Sequence, residues 1–217
     1  GMMYFSQNEN PAVWDRDFAS MAQHSFHLLR ILHFSPYSKG GYEGKPTNQA
    51  LDLVERPERL VRQMDAIVQL AQKHRVAIFL AVHDWIGTVL TDEELAAEAD
   101  WNRFWAARYK DVPGIIYDVQ NEPSVGVQDR PDIVALWNEF LLKRYGTDVA
   151  LAQAWDKHPP EAKMPAVPIG GGSGEWDDVR AADLKRFETE LLNRWVKANV
   201  DGIRAGDPEA VICVGYL

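Results

Sequence analysis

The sequence of 217 residues contains one cysteine, Cys213, no run of Lys or Arg longer than a pair, and no apolar stretch approaching the roughly 20 residues that span a bilayer. A single cysteine excludes an intramolecular disulfide, and the setting Val-Ile-Cys-Val-Gly predicts a buried small hydrophobe rather than a nucleophile. The net charge of −9 disfavours nucleic acid and anionic membranes, so we expect neither as a partner. Oligomeric state and location, secreted or cytoplasmic, stay open.

What the chain does contain is an alternation of short β-branched runs with amphipathic helices. Nearly continuous hydrophobic residues predict strands buried on both faces at 28–33, 76–82, 114–119 and 211–215, with a weaker candidate at 2–6. Five helices are predicted. The first runs from Pro57 to His74, the second from a capping box of Thr91 and Glu94 to Tyr109, and the third from Pro131 to Gly146. A short fourth helix follows Thr147, and a long fifth has hydrophobic residues at helical spacing from Leu184 to Ile203. Four prolines and four glycines predict an irregular loop over 158–174.

This order predicts an α/β fold in which parallel strands are joined by helical crossovers. No Gly-rich phosphate turn follows a strand, which disfavours an open nucleotide-binding sheet, and we expect no cofactor. Polar and aromatic residues follow the strands instead, as around the mouth of a (β/α)₈ TIM barrel. A full barrel takes about 250 residues, so we expect residues 1–217 to be the N-terminal part, about five strands, of one catalytic barrel domain without a second domain.

The segment Tyr117-Asp-Val-Gln-Asn-Glu-Pro-Ser124 holds the candidate chemistry. A buried strand delivers Asn121 and Glu122 at its C-terminal end, and Pro123 stops the strand there. Polar residues at the ends of barrel strands are commonly functional. The alternative is that Glu122 caps the following helix or faces solvent.

The stretch from Ile116 to Pro123 resembles the fourth barrel strand of the clan A retaining glycoside hydrolases, especially the cellulase and endomannanase family, glycoside hydrolase family five. The resemblance implies that Glu122 is the general acid/base and that Asn121 holds a sugar hydroxyl. Leu29-Arg30-Ile31 is similar to a second-strand motif whose Arg supports the catalytic carboxylates. Val82-His83-Asp84-Trp85 is similar to the third-strand end, where a His lines a sugar subsite. The segments 137–146 and 151–155 resemble an insertion of clan A β-galactosidases.

These assignments make chemical sense. Cleaving a glycosidic bond with retention needs two carboxyl groups, one to protonate the leaving oxygen and one to face the anomeric carbon. Partial burial and a neighbouring carboxylate would raise the pKa of Glu122 as an acid requires. Arg30, buried in a strand, needs an anionic partner, either the nucleophile or a structural partner such as Asp118. His83 binds a hydroxyl or is a satisfied core histidine.

Aromatic side chains past the strand ends can stack on a pyranose ring. Trp85 is the first candidate for such a platform, followed by the loop residues Tyr37 and Trp176. Four further tryptophans fall on helical periods and are predicted to serve packing: Trp101, Trp105, Trp137 and Trp195.

The sequence thus predicts a retaining β-glycosidase that hydrolyses a β-linked glycan or glycoside, with carbohydrate as its binding partner. The resemblance places the nucleophile Glu on a later strand, after Leu217, so the 217-residue chain is expected to be inactive. One alternative is a catalytically inactive carbohydrate-binding barrel. A metal-dependent hydrolase using His33, His83 and Asp84 is disfavoured because no metal-binding His spacing is present, and we expect no metal.

Overall fold

The computed structural model describes residues 10–31, 57–83, 91–121, 123, 125, 131–155 and 179–215. Helices and strands alternate along them: α1 Pro11–Gln23, β1 Leu28–Ile31, α2 Pro57–His74, β2 Ala77–His83, α3 Asp92–Tyr109, β3 Ile115–Asn121, α4 Pro131–Tyr145, α5 Asp148–Ala154, α6 Val179–Gly206 and β4 Val211–Gly215. Among the described helices, none has the length and apolar character needed to cross a bilayer.

The four described strands form one parallel sheet in the order β1-β2-β3-β4. Each strand is bonded to the next one in sequence, without the reversal of order that marks an open nucleotide-binding sheet. The register aligns Arg30 with Phe79, Phe79 with Ile116 and Ile116 with Val211. The prediction of parallel strands with helical crossovers is therefore confirmed for these four strands. The weaker candidate at 2–6 and the predicted loop at 158–174 lie outside the described residues.

Local capping chemistry sets the helix ends as the sequence predicts. Thr91 is the N-cap of α3: its Oγ1 accepts from the Glu94 amide at 3.3 Å and donates to Glu94 Oε2 at 2.9 Å. Thr147 caps α5 by accepting from the Ala150 amide at 3.2 Å. Helix α4 ends at Tyr145, and the next residue, Gly146, has a φ of +74°, in the left-handed region that favours glycine.

Helix α1 is an element that the sequence analysis does not predict. The Asn10 side chain accepts from the Ala12 amide at 3.0 Å, and Pro11 occupies the first turn. Trp14 and Phe18, four residues apart, are both buried. Each of these signals is readable in the sequence.

The chain divides into two compact units, residues 1–123 with 195–217, and residues 124–194. The first contains the sheet, and its core is formed by aliphatic strand residues and the inner faces of the helices, among them Ile31, Ile78, Leu80, Val119 and Trp105. The expectation of a single barrel domain over 1–217 stays a prediction.

The second unit is built around aromatic side chains and one buried carboxylate. The ring of Trp137 lies parallel to that of Phe140, with centroids 5.6 Å apart. Asp183 is fully buried and accepts from the Tyr145 hydroxyl at 2.5 Å, from Trp155 Nε1 at 3.0 Å and from Arg186 Nη1 at 3.0 Å. These donors compensate the cost of burying its charge.

The packing role predicted for the helical tryptophans is confirmed where they are buried. Trp105, Trp137 and Trp195 are inaccessible to solvent. Trp101 is half-buried and lies against the Phe104 and Trp105 rings.

Candidate functional site

Three of the predicted site residues are described, and all three lie at the C-terminal ends of neighbouring strands. Arg30 is the second-last residue of β1, His83 is the last of β2, and Asn121 is the last of β3. The other predicted site residues lie outside the described residues: Glu122, Trp85, Tyr37 and Trp176.

Arg30 reaches from β1 to β3 and contacts two side chains there. Its Nη1 donates to Asn121 Oδ1 at 2.8 Å, and its Nη2 donates to Asp118 Oδ2 in a salt bridge. Its guanidinium carbon also lies 5.1 Å from the centroid of the Phe79 ring. Asp118 is fully buried, whereas the Arg30 side chain is 33% exposed. The partner proposed as the structural alternative, Asp118, is thus present, and Asn121 is bound as well. We call Arg30, Asp118 and Asn121 the arginine clamp.

The second oxygen of Asp118 is bound from β4. The backbone N–H of Gly215 donates to Asp118 Oδ1 at 3.2 Å, and Cys213 Sγ lies 3.8 Å from the same atom. A Cβ at position 215 would lie 3.4 Å from Arg30 Nη2 and 3.3 Å from the Gln120 carbonyl oxygen, so the clamp fits closely against a glycine. Both carboxylate oxygens of Asp118 therefore have partners on different strands.

Cys213 is half-buried rather than buried as predicted. Burial and the adjacent Asp118 carboxylate raise the pKa of its thiol, because both disfavour the thiolate. Cys213 is consequently a protonated thiol at neutral pH, which agrees with the expectation that it is not a nucleophile.

An irregularity in β3 brings Asn121 and Asp118 to the same guanidinium. Asp118 aligns with Cys213 and Asn121 with Gly215, so three steps along β3 match two along β4. In a regular strand, residues three apart point to opposite faces of the sheet. The extra residue of this bulge turns the strand, which lets both side chains contact Arg30.

His83 is fully buried at the end of β2. Its ring meets that of Trp195 edge-on, with centroids 6.1 Å apart. Burial lowers the pKa of His83 to about 4, against the opposing influence of the nearby Asn199 and Asn102 amides, so the ring is neutral at physiological pH. Neither ring nitrogen has a hydrogen-bond partner among the described residues. Its burial matches the core-histidine alternative, but its ring nitrogens are not satisfied by the described residues, so both alternatives for His83 stay predictions.

Next to His83 lies a buried polar network that the sequence analysis misses. Glu98, 1% exposed, accepts from Trp195 Nε1 at 2.8 Å and from Asn199 Nδ2 at 3.0 Å, while Asn102 Nδ2 donates to Asn199 Oδ1 at 2.6 Å. Because these donors are neutral, burial dominates and raises the pKa of Glu98 to about 7. The readable signal is that Glu98 and Asn102 fall on the buried stripe of α3.

Metal ligands do not converge in the part of the chain that is described: no three His, Cys, Asp or Glu side chains come together there. Two residues of the metal alternative, His33 and Asp84, lie outside that part.

Solved structures share the fold at low sequence identity. A polyextremophilic β-galactosidase from the Antarctic haloarchaeon Halorubrum lacusprofundi is 18% identical with a TM-score of 0.68, over 95% of this chain and 35% of that one. The β-galactosidase of the psychrophilic Marinomonas ef1 is 15% identical with a TM-score of 0.67, over 94% of this chain and 35% of that one. A GH5_18 protein from Streptomyces cattleya, in complex with GlcNAc, is 16% identical with a TM-score of 0.50, over 95% and 39%.

These likenesses confirm the predicted α/β fold of the TIM-barrel type. The chain spans about a third of the length of the β-galactosidases it matches. No curated protein sequence matches it. The family model described as Cellulase (glycosyl hydrolase family 5) matches residues 4–216, nearly the whole chain. The resemblance seen at residues 116–123 is therefore confirmed, and the chain belongs to the cellulase family, glycosyl hydrolase family 5.

Proposed function

We propose that this chain supplies the acid/base side of the active site of a retaining β-glycosidase that hydrolyses a β-linked glycan or glycoside, with Glu122 as the general acid/base. The observation that carries the proposal is the contact between Arg30 and Asn121 at the end of β3, one residue before Glu122. Membership of glycosyl hydrolase family 5 supports the reaction class.

The hydrogen bond from Arg30 fixes which end of the Asn121 amide faces the guanidinium. A guanidinium has only donors, so the amide oxygen of Asn121 faces Arg30 and its NH₂ group is left to donate elsewhere. An amide donor beside the acid suits a sugar hydroxyl, which can accept from it. Because Asn121 and Glu122 are consecutive, fixing Asn121 also restricts the backbone that bears the acid.

In the proposed reaction Glu122 donates its proton to the glycosidic oxygen while a second carboxylate attacks the anomeric carbon, and the bond to the leaving group breaks. Glu122, now ionised, then takes a proton from water, and that water releases the sugar from the covalent intermediate. The second carboxylate would belong to a longer polypeptide, after Leu217, since the chain spans about a third of the β-galactosidases it matches. Residues 1–217 alone are then expected to bind sugar without turning it over.

The test is to express the complete gene product and assay it on aryl β-glycosides and soluble β-glycans, beside Glu122→Gln and the matched variant Glu139→Gln, whose side chain is exposed on α4. We expect Glu122→Gln to lower kcat on glycans by about 100-fold or more. On aryl glycosides whose leaving group needs no proton, kcat/KM is expected to fall less, because it reports the first step, in which no acid is then required.

Glu139→Gln is expected to behave as the wild type. Unchanged hydrolysis in Glu122→Gln would overturn the assignment of the acid. Sugar binding by the wild-type gene product without any turnover would indicate the carbohydrate-binding barrel instead.

A further inference from the structure

We propose that Asp118 is a positioning residue of this site: its buried carboxylate fixes Arg30, and Arg30 in turn holds the Asn121 amide in one orientation. The inference rests on the proposed function and adds to it a residue that touches no substrate. Its basis is the arginine clamp together with the β4 contact to Asp118.

The first step of the argument concerns Arg30. Its side chain is long and 33% exposed, so without an anchor it would sample several rotamers at the barrel mouth. The salt bridge to Asp118 removes that freedom, and the planar guanidinium then presents Nη1 to Asn121 in a fixed direction. The orientation of Asn121 therefore depends on Asp118 through Arg30.

The second step concerns Asp118 itself. One of its oxygens binds Arg30 and the other accepts from the Gly215 amide, so the carboxylate cannot turn. The bond from Gly215 also offsets the cost of burying the second oxygen, and it keeps the first oxygen turned towards Arg30. A Cβ at position 215 would lie 3.4 Å from Arg30 Nη2, so the guanidinium packs directly against the Gly215 backbone.

The third step is electrostatic. Asp118 balances the positive charge of Arg30 close to the residue before Glu122. If Asp118 is made neutral, the uncompensated guanidinium favours the ionised form of a nearby acid. The pKa of Glu122 is then expected to fall, and activity is expected to be lost at a lower pH than in the wild type.

The experiment compares Asp118→Asn, Arg30→Lys and the exposed control Asp100→Asn in the complete gene product, with kcat, KM, the pH profile of kcat/KM and urea unfolding measured for each. For Asp118→Asn we expect a fall in kcat/KM of about 10- to 100-fold, mostly in kcat, and a basic limb shifted to lower pH. Arg30→Lys keeps the positive charge but loses the planar guanidinium that binds Asp118 and Asn121 together. We therefore expect a similar fall in kcat/KM without a shift of the basic limb. If Asp118 only stabilised the fold, Asp118→Asn would lower the free energy of unfolding and leave the basic limb in place.

Wild-type kcat/KM and an unmoved basic limb in a folded Asp118→Asn would overturn the inference. If Asp118→Asn does not fold, full activity of Arg30→Lys overturns it instead. The two proposals fail separately: an active Glu122→Gln refutes the proposed function, whereas an inactive Glu122→Gln beside a fully active Asp118→Asn refutes only the role of Asp118.

Discussion

Replacing Glu98 with Gln is expected to stabilise the protein at about pH 8 and to change its stability little at about pH 4.5. Glu98 is buried among neutral donors, the indole of Trp195 and the amide of Asn199. The folded protein therefore holds the Glu98 proton at pH values where the unfolded chain has lost it. Gln offers a similar shape without an ionisable group.

The magnitude follows from the pKa of Glu98, which burial raises from 4.5 to about 7. Each pKa unit corresponds to about 1.4 kcal/mol, so the full effect is about 3 kcal/mol. Because the folded-state pKa is the higher one, this stability is fully present below about pH 4.5, falls as the pH rises towards 7, and stays lost above it. The Glu94 carboxylate also raises the pKa of Glu98, while His83 faces the network as a neutral ring.

His83 acts with the opposite sign. Burial lowers its pKa from 6.5 to about 4, so its contribution is present above about pH 6.5 and is lost as the pH falls towards 4. Between about pH 4.5 and 6.5 the two effects cancel, and the wild-type stability profile is expected to be nearly flat over that range. The quantity to follow is consequently the difference in the free energy of unfolding between Glu98→Gln and the wild type.

The assay is reversible urea unfolding followed by tryptophan fluorescence at a series of pH values for wild type, Glu98→Gln and Glu93→Gln, an exposed glutamate on the same helix. The stability advantage of Glu98→Gln is expected to grow by about 3 kcal/mol from about pH 4.5 to pH 8. Glu93→Gln is expected to track the wild type. An advantage that stays the same at every pH would refute the view that Glu98 is protonated in the folded protein.

Four further substitutions, at three positions, are tested by the same unfolding measurement. Gly202→Ala is expected to lower the free energy of unfolding by about 3 kcal/mol, because its Cβ would lie 2.4 Å from the backbone oxygen of Ala99. A smaller loss than that of Gly146→Ala would contradict this close approach. Gly146→Ala is expected to lower the free energy of unfolding by only about 1 kcal/mol. Its φ of +74° disfavours a side chain, but nothing within 4 Å would meet the new Cβ. A neutral result would show that the turn relaxes. Thr91→Ala is expected to cost about 1 kcal/mol and Thr91→Ser far less; equal losses would argue against the cap.

The regular elements were predictable where their signals are local. The capping box of Thr91 and Glu94 and the terminal glycine at 146 act within a few residues, so the sequence alone indicates where α3 begins and where α4 ends. Helix α1 carries equally local signals in Asn10, Pro11 and the Trp14 and Phe18 pair.

The site was predictable in its residue types and less so in its contacts. The sequence offered two partners for Arg30, and the structure shows one of them, Asp118, together with Asn121. That combination depends on the bulge in β3, which is a property of the register with β4 and not of β3 alone. The buried stripe of α3 indicates that Glu98 and Asn102 are buried, but their partners lie about a hundred positions away, and no local pattern identifies them. The roles of Glu122, Trp85, Tyr37 and Trp176 stay predictions.

The arginine clamp also has a consequence for the order of folding. Arg30 and Asp118 are 88 positions apart, and Asp118 and Gly215 are 97 apart, so the complete set of contacts forms only after all four strands have joined. Such long loop closures are slow compared with helix formation. The clamp is therefore completed late, and protection of the Gly215 amide from hydrogen exchange distinguishes molecules with a completed clamp from compact intermediates in which the helices alone have formed.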